Sequence, residues 1–310
     1  MAERVLVTGA AGFIGSTLAE ALCKKDYHVI GIDCFSDYYP RKIKENNLLN
    51  LKEQKNFEFI EENLCTYDIS KLLKGVSVVY HEAAQAGVRY SWDHFQSYMD
   101  NNIIATQRIL EACKKEKQRI VFASSSSVYG DAKELPVKES TKLNPISPYG
   151  VTKVICENLI QIYHESHNIP ANMLRYFTVY GPKQRPDMAI NIFTHKIMNG
   201  KEFEMFGDGS QSRDFTFVDD IVAGTIAAGE SSKDFGIYNL GGGKTITVKG
   251  LVDALGEAVG KEPIYKTSED QKGDVKHTHA DISKASKDLN YKPKTPIVDG
   301  LKKYVDYIKG

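Results

Sequence analysis

Tyr149 and Lys153 stand four residues apart, a spacing that on a helix puts both side chains on one face. A tyrosine hydroxyl is a weak base at neutral pH, with a free pKa of about 10. A cationic lysine one turn away would stabilise the phenolate and let it take a proton from a substrate hydroxyl. Alone, a Tyr-x-x-x-Lys pattern is common on helices. It gains weight from Ser124–Ser127, a run of hydroxyls directly after an apolar segment. One of these serines could bond the reacting hydroxyl and share its proton with Tyr149, while others cap the turn.

A second group near the N-terminus fits a phosphate. Gly9-Ala10-Ala11-Gly12-Phe13-Ile14-Gly15 is a GxxGxxG loop between a predicted strand and a predicted helix. Gly9 allows the tight turn, Gly12 lets a pyrophosphate approach the backbone, and Gly15 lets the helix pack against the sheet. The helix N-terminus at Phe13 and Ile14 supplies N–H donors and a positive dipole end. Asp33 ends the next predicted strand, where an acid can bond the adenosine ribose hydroxyls. An acid there repels a 2′-phosphate, so the expected cofactor is NAD rather than NADP. Asn63 and Leu64, after a third strand, are placed near the adenine.

These residues need a scaffold that brings distant segments to one edge. Strand-like runs at Arg4–Thr8, His28–Asp33, Phe57–Ile60, Val76–Ala83, Arg119–Ala123 and Ala171–Tyr176 alternate with helix-like runs at Gly12–Lys25, Ile103–Lys115 and Pro148–Ser166. Such alternation implies an α/β fold, a doubly wound parallel (Rossmann) sheet with helices on both faces. In that fold ligands bind at the carboxyl ends of the strands. Residues 1–176 are expected to form the NAD-binding domain. Residues 177–310 are expected to form a smaller C-terminal α/β substrate-binding lobe, with segments exchanged between the two. There, Phe203–Phe206 and Phe235–Leu240 read as strands, and Val218–Gly229, Thr247–Gly260 and Val298–Ile308 as helices.

Composition narrows the function classes. Forty Lys and Arg balance forty Asp and Glu, so no net field draws the chain to nucleic acid or an anionic membrane. The apolar runs are strand-length, too short to span a membrane, and a strand pattern begins at Arg4 with no signal peptide before it. Cys23, Cys34, Cys65, Cys113 and Cys156 are odd in number and unpaired in spacing. No disulfide framework and no metal site are expected, and reduced thiols suit a cytoplasmic protein.

GAAGFIG, SSSSVYG, SPYGVTK and RYFTVYGP, in this order, resemble the extended short-chain dehydrogenase/reductases that act on nucleotide sugars. The resemblance covers nearly the whole chain. It implies Ser125, with Ser126 beside it, as the catalytic hydroxyl, Tyr149 as general base and Lys153 as its partner and ribose contact. Dehydratases and decarboxylases of this branch carry an acidic residue just before VYG, where this chain has Ser126 and Ser127. Hydride removal and return, hence 4-epimerisation, remains. Thr178, the Arg185–Met188 run RPDM, Asp37–Tyr39 and AAQAGVRYS at Ala83–Ser91 resemble UDP-glucuronate 4-epimerases. By that resemblance Ser127, Thr178 and Arg185 would hold a sugar carboxylate, though Arg185 could equally form a salt bridge. Arg213 and Arg89 would meet the diphosphate and Asp274 the uridine ribose. Family members are commonly homodimers, pairing the helices at 102–115 and 148–166. Competing readings are a UDP-glucose or UDP-N-acetylhexosamine 4-epimerase and a catalytically silent NAD-binding scaffold.

Overall fold

The structure is a computed structural model and describes residues 2–269 and 275–310. Seven strands form one parallel sheet: β1 (Arg4–Thr8), β2 (His28–Asp33), β3 (Phe57–Glu61), β4 (Val76–His81), β5 (Arg119–Ser125), β6 (Ala171–Tyr176) and β7 (Phe235–Leu240). Their order is β7-β6-β5-β4-β1-β2-β3. The chain reverses direction across the sheet between β1 and β4, which opens a crevice at the strands' carboxyl ends. The strands other than the edge strand β3 are largely buried on both faces, as their near-continuous apolar runs require. One face packs Val5, Val7, Val29, Val121 and Leu174 with helices α1 (Phe13–Lys24) and Val218–Gly229. The other packs Leu6, Ile30, Val79, Ile120 and Met173 with α2 (Ala105–Cys113) and α3 (Pro148–His167). A further apolar cluster joins Phe193, Phe203, Leu251, Leu255 and Tyr304.

β7 comes from the last third of the chain yet pairs in register with β6 from Phe235↔Ala171 to Leu240↔Tyr176. β4 ends at His81, short of the expected Ala83, because side chains take over the ladder. Ala83 N donates to Thr8 Oγ1 at 3.1 Å and Gln85 N to Asn102 Oδ1 at 2.7 Å. Asn102 lies in a π-helical stretch, Met99–Ile104, that leads into α2. β5 runs past Ala123 to Ser125, since Ser124 and Ser125 still pair with Arg175 and Tyr176. Helices at Arg41–Asn47 and Ala189–Met198 stand where the sequence reading assigned none.

α3 begins where its residues dictate. Ser147 caps it, accepting from Gly150 N at 3.1 Å, and Pro148 occupies the first turn. Asn168 closes it in the left-handed conformation.

Candidate functional site

The glycine loop is shaped by close backbone contact. A Cβ at Gly15 would lie 2.1 Å from the Gly9 carbonyl oxygen, and one at Gly9 (φ +68°) would meet the Ala83 backbone at 2.9 Å. No side chain caps α1 and no acid stands in its first turn, so nothing of the chain's own competes for an anion there. Asp33 holds the loop: its Oδ2 accepts from Ala11 N at 3.1 Å and its Oδ1 from Phe35 N at 2.8 Å. Burial pushes the Asp33 carboxyl up, opposed by those two bonds and the Lys44 charge. Asn47 Nδ2 fixes Ala11 from the other side, donating to its carbonyl at 3.0 Å.

One cleft runs from this loop to the end of β5. It is lined by Gly9, Gly12, Phe13, Ile14, Gly15, Asp33, Asn63, Leu64, Ser125, Tyr149, Lys153 and Arg185, among others. The groups expected to bind a dinucleotide and those expected to do proton chemistry thus share one cavity. The fit to a dinucleotide rests on the side-chain-free glycine cradle, the uncapped helix end and the acid beyond it. Asn63 Oδ1 is engaged by its own turn, accepting from Cys65 N at 2.8 Å.

At the far end, Lys153 is 2 % exposed and its Nζ donates to the Ala123 carbonyl at 2.7 Å. The same Nζ stands 5.9 Å from the Tyr149 ring centroid. Anchoring to β5 fixes the lysine, and through α3 the tyrosine, against the strand end that carries Ser125. Gly150 permits this approach, since a Cβ there would lie 2.6 Å from the Ser127 carbonyl oxygen. Ser125 Oγ donates to Ser127 Oγ at 3.1 Å and accepts from Ser127 N at 3.2 Å. Ser126 and Ser127 are not among the residues lining the cleft. Ser124 is buried and donates to Glu157 at 2.5 Å, within a buried network with Arg175.

A second cleft adjoins the first, with Met188 lining both. It holds Thr178, Arg89 and Arg213, with Phe206, Phe215 and Gln211. The Arg89 guanidinium lies over the Phe206 ring at 4.8 Å, and Arg213 Nη1 donates to the Lys276 carbonyl at 2.9 Å. Arg185 opens onto the first cleft instead. Its Nε and Nη2 donate to Asp187 at 2.9 and 3.0 Å, the salt bridge that the sequence left as an alternative. Asp274 lies outside the described residues.

Several cleft residues had no place in the sequence reading. Glu82 lines the floor and accepts from Tyr176 Oη at 2.9 Å. Burial pushes its carboxyl up to about 7. The sequence pattern runs the strand on to Ala83 and so hides the place of Glu82, one residue past the observed strand end at the ligand edge. Lys44 lies on the unread helix and donates to the Ser36 carbonyl at 2.5 Å. His81, in contrast, is structural. Its ring nitrogens contact Thr8 Oγ1 at 2.8 Å and Thr106 Oγ1 at 3.0 Å, and burial depresses its pKa to about 3. Among the described residues no cluster of His, Cys, Asp and Glu could hold a metal, and no helix is long and apolar enough to cross a membrane.

Residues 6–304 match the family described as GDP-mannose 4,6 dehydratase. The uncharacterized UDP-glucose epimerase YtcB of Bacillus subtilis is 47% identical over 309 residues, 98% of either chain. A UDP-glucuronate 4-epimerase of Thermodesulfobacterium geofontis is 41% identical over 312 residues, 98% of this chain and 95% of that one. The crystal structure of UDP-glucuronic acid 4-epimerase from Bacillus cereus, in complex with UDP-glucuronic acid and NAD, is similar with a TM-score of 0.95. It is 46% identical and the match covers 99% of each chain. With its glycine loop and its Ser125, Tyr149 and Lys153 in one cleft, the chain belongs to the GDP-mannose 4,6-dehydratase-like family of extended short-chain dehydrogenase/reductases.

Proposed function

We propose that this chain, an NAD-dependent UDP-sugar 4-epimerase, takes UDP-glucuronate as its substrate and inverts C4 to give UDP-galacturonate. The observation that carries this reading is the placing of Arg185 in the cleft that holds Ser125, Tyr149 and Lys153. A guanidinium there suits a carboxylate close to the reacting carbon. The absence of an acid at Ser126 and Ser127 supports simple proton and hydride exchange over elimination. The names of the relatives at 41% and 46% identity support the same substrate.

NAD, when bound, supplies the hydride acceptor and donor. Gly9, Gly12, Gly15 and the N–H groups of Phe13 and Ile14 hold its pyrophosphate, and Asp33 its adenosine ribose. Tyr149 Oη takes the proton of the C4 hydroxyl as the C4–H bond breaks. Lys153 keeps the tyrosine in register and bonds the second ribose. Ser125 bonds the C4 oxygen through the reaction. The 4-keto sugar then turns and presents its other face, and Tyr149 returns the proton.

The keto intermediate of glucuronate is a β-keto acid, which loses CO₂ when its carboxylate bond aligns with the ketone π system. Arg185 holds the carboxylate out of that alignment, with Thr178 reaching it from the adjoining cleft and Ser127, outside the cleft lining, acting through its bonds to Ser125. Arg213, Arg89 and Asp274 receive the UDP, with residues 177–310 as the lobe that supplies most of its contacts. The exposed Phe95, Met99 and Ile104, in the turns leading into α2, and Val151 and Ile162 on α3 suit a homodimer interface. The free thiols fit the reducing cytoplasm. Arg185→Ala tests the assignment: the proportion of decarboxylated product should rise, and an unchanged proportion contradicts it.

A further inference from the structure

Three sequence motifs carried the resemblance to glucuronate epimerases without acquiring a joint role: Asp37–Tyr39, the loop containing Gly87, and Arg185–Met188. They meet at one point. Tyr38 Oη donates to Asp187 Oδ2 at 2.9 Å, across 149 residues of sequence. Asp187 in turn receives both bonds of the Arg185 fork, at 2.9 and 3.0 Å. The guanidinium carbon lies 5.8 Å from the Tyr38 ring centroid. Gly87 makes room for this arrangement: at φ +102° it has no Cβ, and one would lie 2.3 Å from Tyr38 Oη. Tyr90 also packs against Tyr38, with ring centroids 4.9 Å apart.

From this geometry we propose that Asp187, held by Tyr38, is the positioning residue that fixes the direction of Arg185. It thereby sets whether the keto intermediate keeps its carboxyl group. The inference rests on the glucuronate reading above. Two parallel bonds to Asp187 leave Nη1 as the end of the guanidinium without a bond to it. A guanidinium oriented before substrate arrives need not lose its rotamer freedom on binding. A freely rotating one would follow the carboxylate into any orientation, including the reactive one. Burial raises the Asp187 carboxyl, and its bonds and proximity to Arg185 more than reverse that, so Asp187 stays ionised and the fork stays closed.

Decarboxylation breaks the C5–C6 bond of the 4-keto acid. The bond's electron pair passes into the C4 carbonyl as CO₂ leaves, and the resulting enolate takes a proton at C5. The hydride removed from C4 is not returned, so NAD ends reduced and the sugar ends as a 4-keto pentose. Epimerisation and this loss therefore partition one intermediate, and their ratio reads the carboxylate's orientation.

The test compares wild type, Tyr38→Phe, Asp187→Asn and Asp187→Glu as holoenzymes with UDP-glucuronate, with 4-keto pentose and UDP-galacturonate counted by NMR. The pentose fraction should rise several-fold in Tyr38→Phe, further in Asp187→Asn, and fall back in Asp187→Glu. Calorimetry on the same changes in a Tyr149→Phe background, which stops turnover, supplies a binding readout. UDP-glucuronate affinity should weaken about tenfold while UDP-glucose affinity holds. Equal weakening for both sugars, or an unmoved pentose fraction, overturns the proposal. If Asp187→Asn does not fold, Tyr38→Phe, which removes one hydroxyl, decides alone. Wild type that fails to convert UDP-glucuronate at all would take down the substrate reading and this inference together. Wild type that converts it, with variants of unchanged ratio, would take down this inference only.

Discussion

Tyr176 Oη donates to Glu82 Oε1 at 2.9 Å, tying the end of β6 to the residue that follows β4 beneath the glycine loop. The hydroxyl also meets Thr225 Oγ1 at 2.7 Å, and Thr225 donates to the Ile221 carbonyl at 2.8 Å. With the Thr225 proton on the Ile221 carbonyl, all three bonds are filled at once only when Glu82 is protonated and donates to Tyr176, whose own proton then serves Thr225. Burial pushes the Glu82 carboxyl up to about 7, with the Tyr176 bond and the Lys153 charge opposing. The folded chain therefore holds a proton there that the unfolded chain gives up at lower pH. Stability should fall as pH rises from the ordinary carboxylate range through about 7, and then level off. The cost when charged is at most on the order of 3 kcal/mol. Glu82→Gln keeps an acceptor for Tyr176 and removes the charge. Melting of NAD-free protein at pH 5 and pH 8 should show the variant gaining several degrees over wild type at the higher pH only. Parallel pH trends would refute the assignment.

In the proposed mechanism Tyr149 transfers the proton, so Tyr149→Phe should lower kcat by about 10²–10⁴. The cofactor released on denaturing the purified protein should match wild type, because the glycine cradle and Asp33 are untouched. Turnover within a few-fold of wild type would remove Tyr149 from its role. Loss of cofactor would make the residue a binding group first.

The glycine loop separates fold from ligand. In Gly15→Ala the new Cβ would stand 2.1 Å from the Gly9 carbonyl, a backbone atom that cannot step aside. This variant should melt well below wild type and hold no NAD. In Gly12→Ala the same oxygen would stand 3.1 Å from the new Cβ, a tight contact that a shift of a few tenths of an ångström relieves, so the NAD-free protein should lose far less melting temperature than Gly15→Ala while NAD affinity falls. Calorimetric titration and melting, done on both, check the contrast.

Glu157 and Arg175 form a buried pair at 2.7 Å, 4 % and 3 % exposed, that anchors α3 to β6 behind Ser124. Glu157→Gln leaves the guanidinium buried without its counter-charge, which should cost about 3–5 kcal/mol. Urea unfolding gives the number, and a loss under about 1 kcal/mol would mean that the pair is exposed to solvent screening.

Much of this site was legible in the sequence because its signals are local. The alternation of strand and helix gave the sheet, the glycine spacing gave the cradle, and Ser147-Pro148 marked the start of α3. What the sequence could not display were contacts between distant loops. The Tyr38–Asp187 bond joins segments 149 residues apart, and no periodicity announces it. β7 was read as a strand, but its pairing with β6 follows from packing of the chain's last third, not from its own residues. Glu82 is hidden because the apolar pattern runs two residues past the true strand end at His81, which makes it one more strand position instead of the cleft floor. The helix at Arg41–Asn47 is largely polar and turns Lys44 and Asn47 inward, so it has no apolar stripe to read.

The central claim is tested by incubating the purified protein with UDP-glucuronate, without added NAD, and following the sugar by NMR, with UDP-glucose in a parallel sample. UDP-galacturonate is expected at equilibrium with its substrate, through cofactor carried by the protein. Conversion of UDP-glucose alone, with UDP-glucuronate unchanged even after NAD is added, would contradict it.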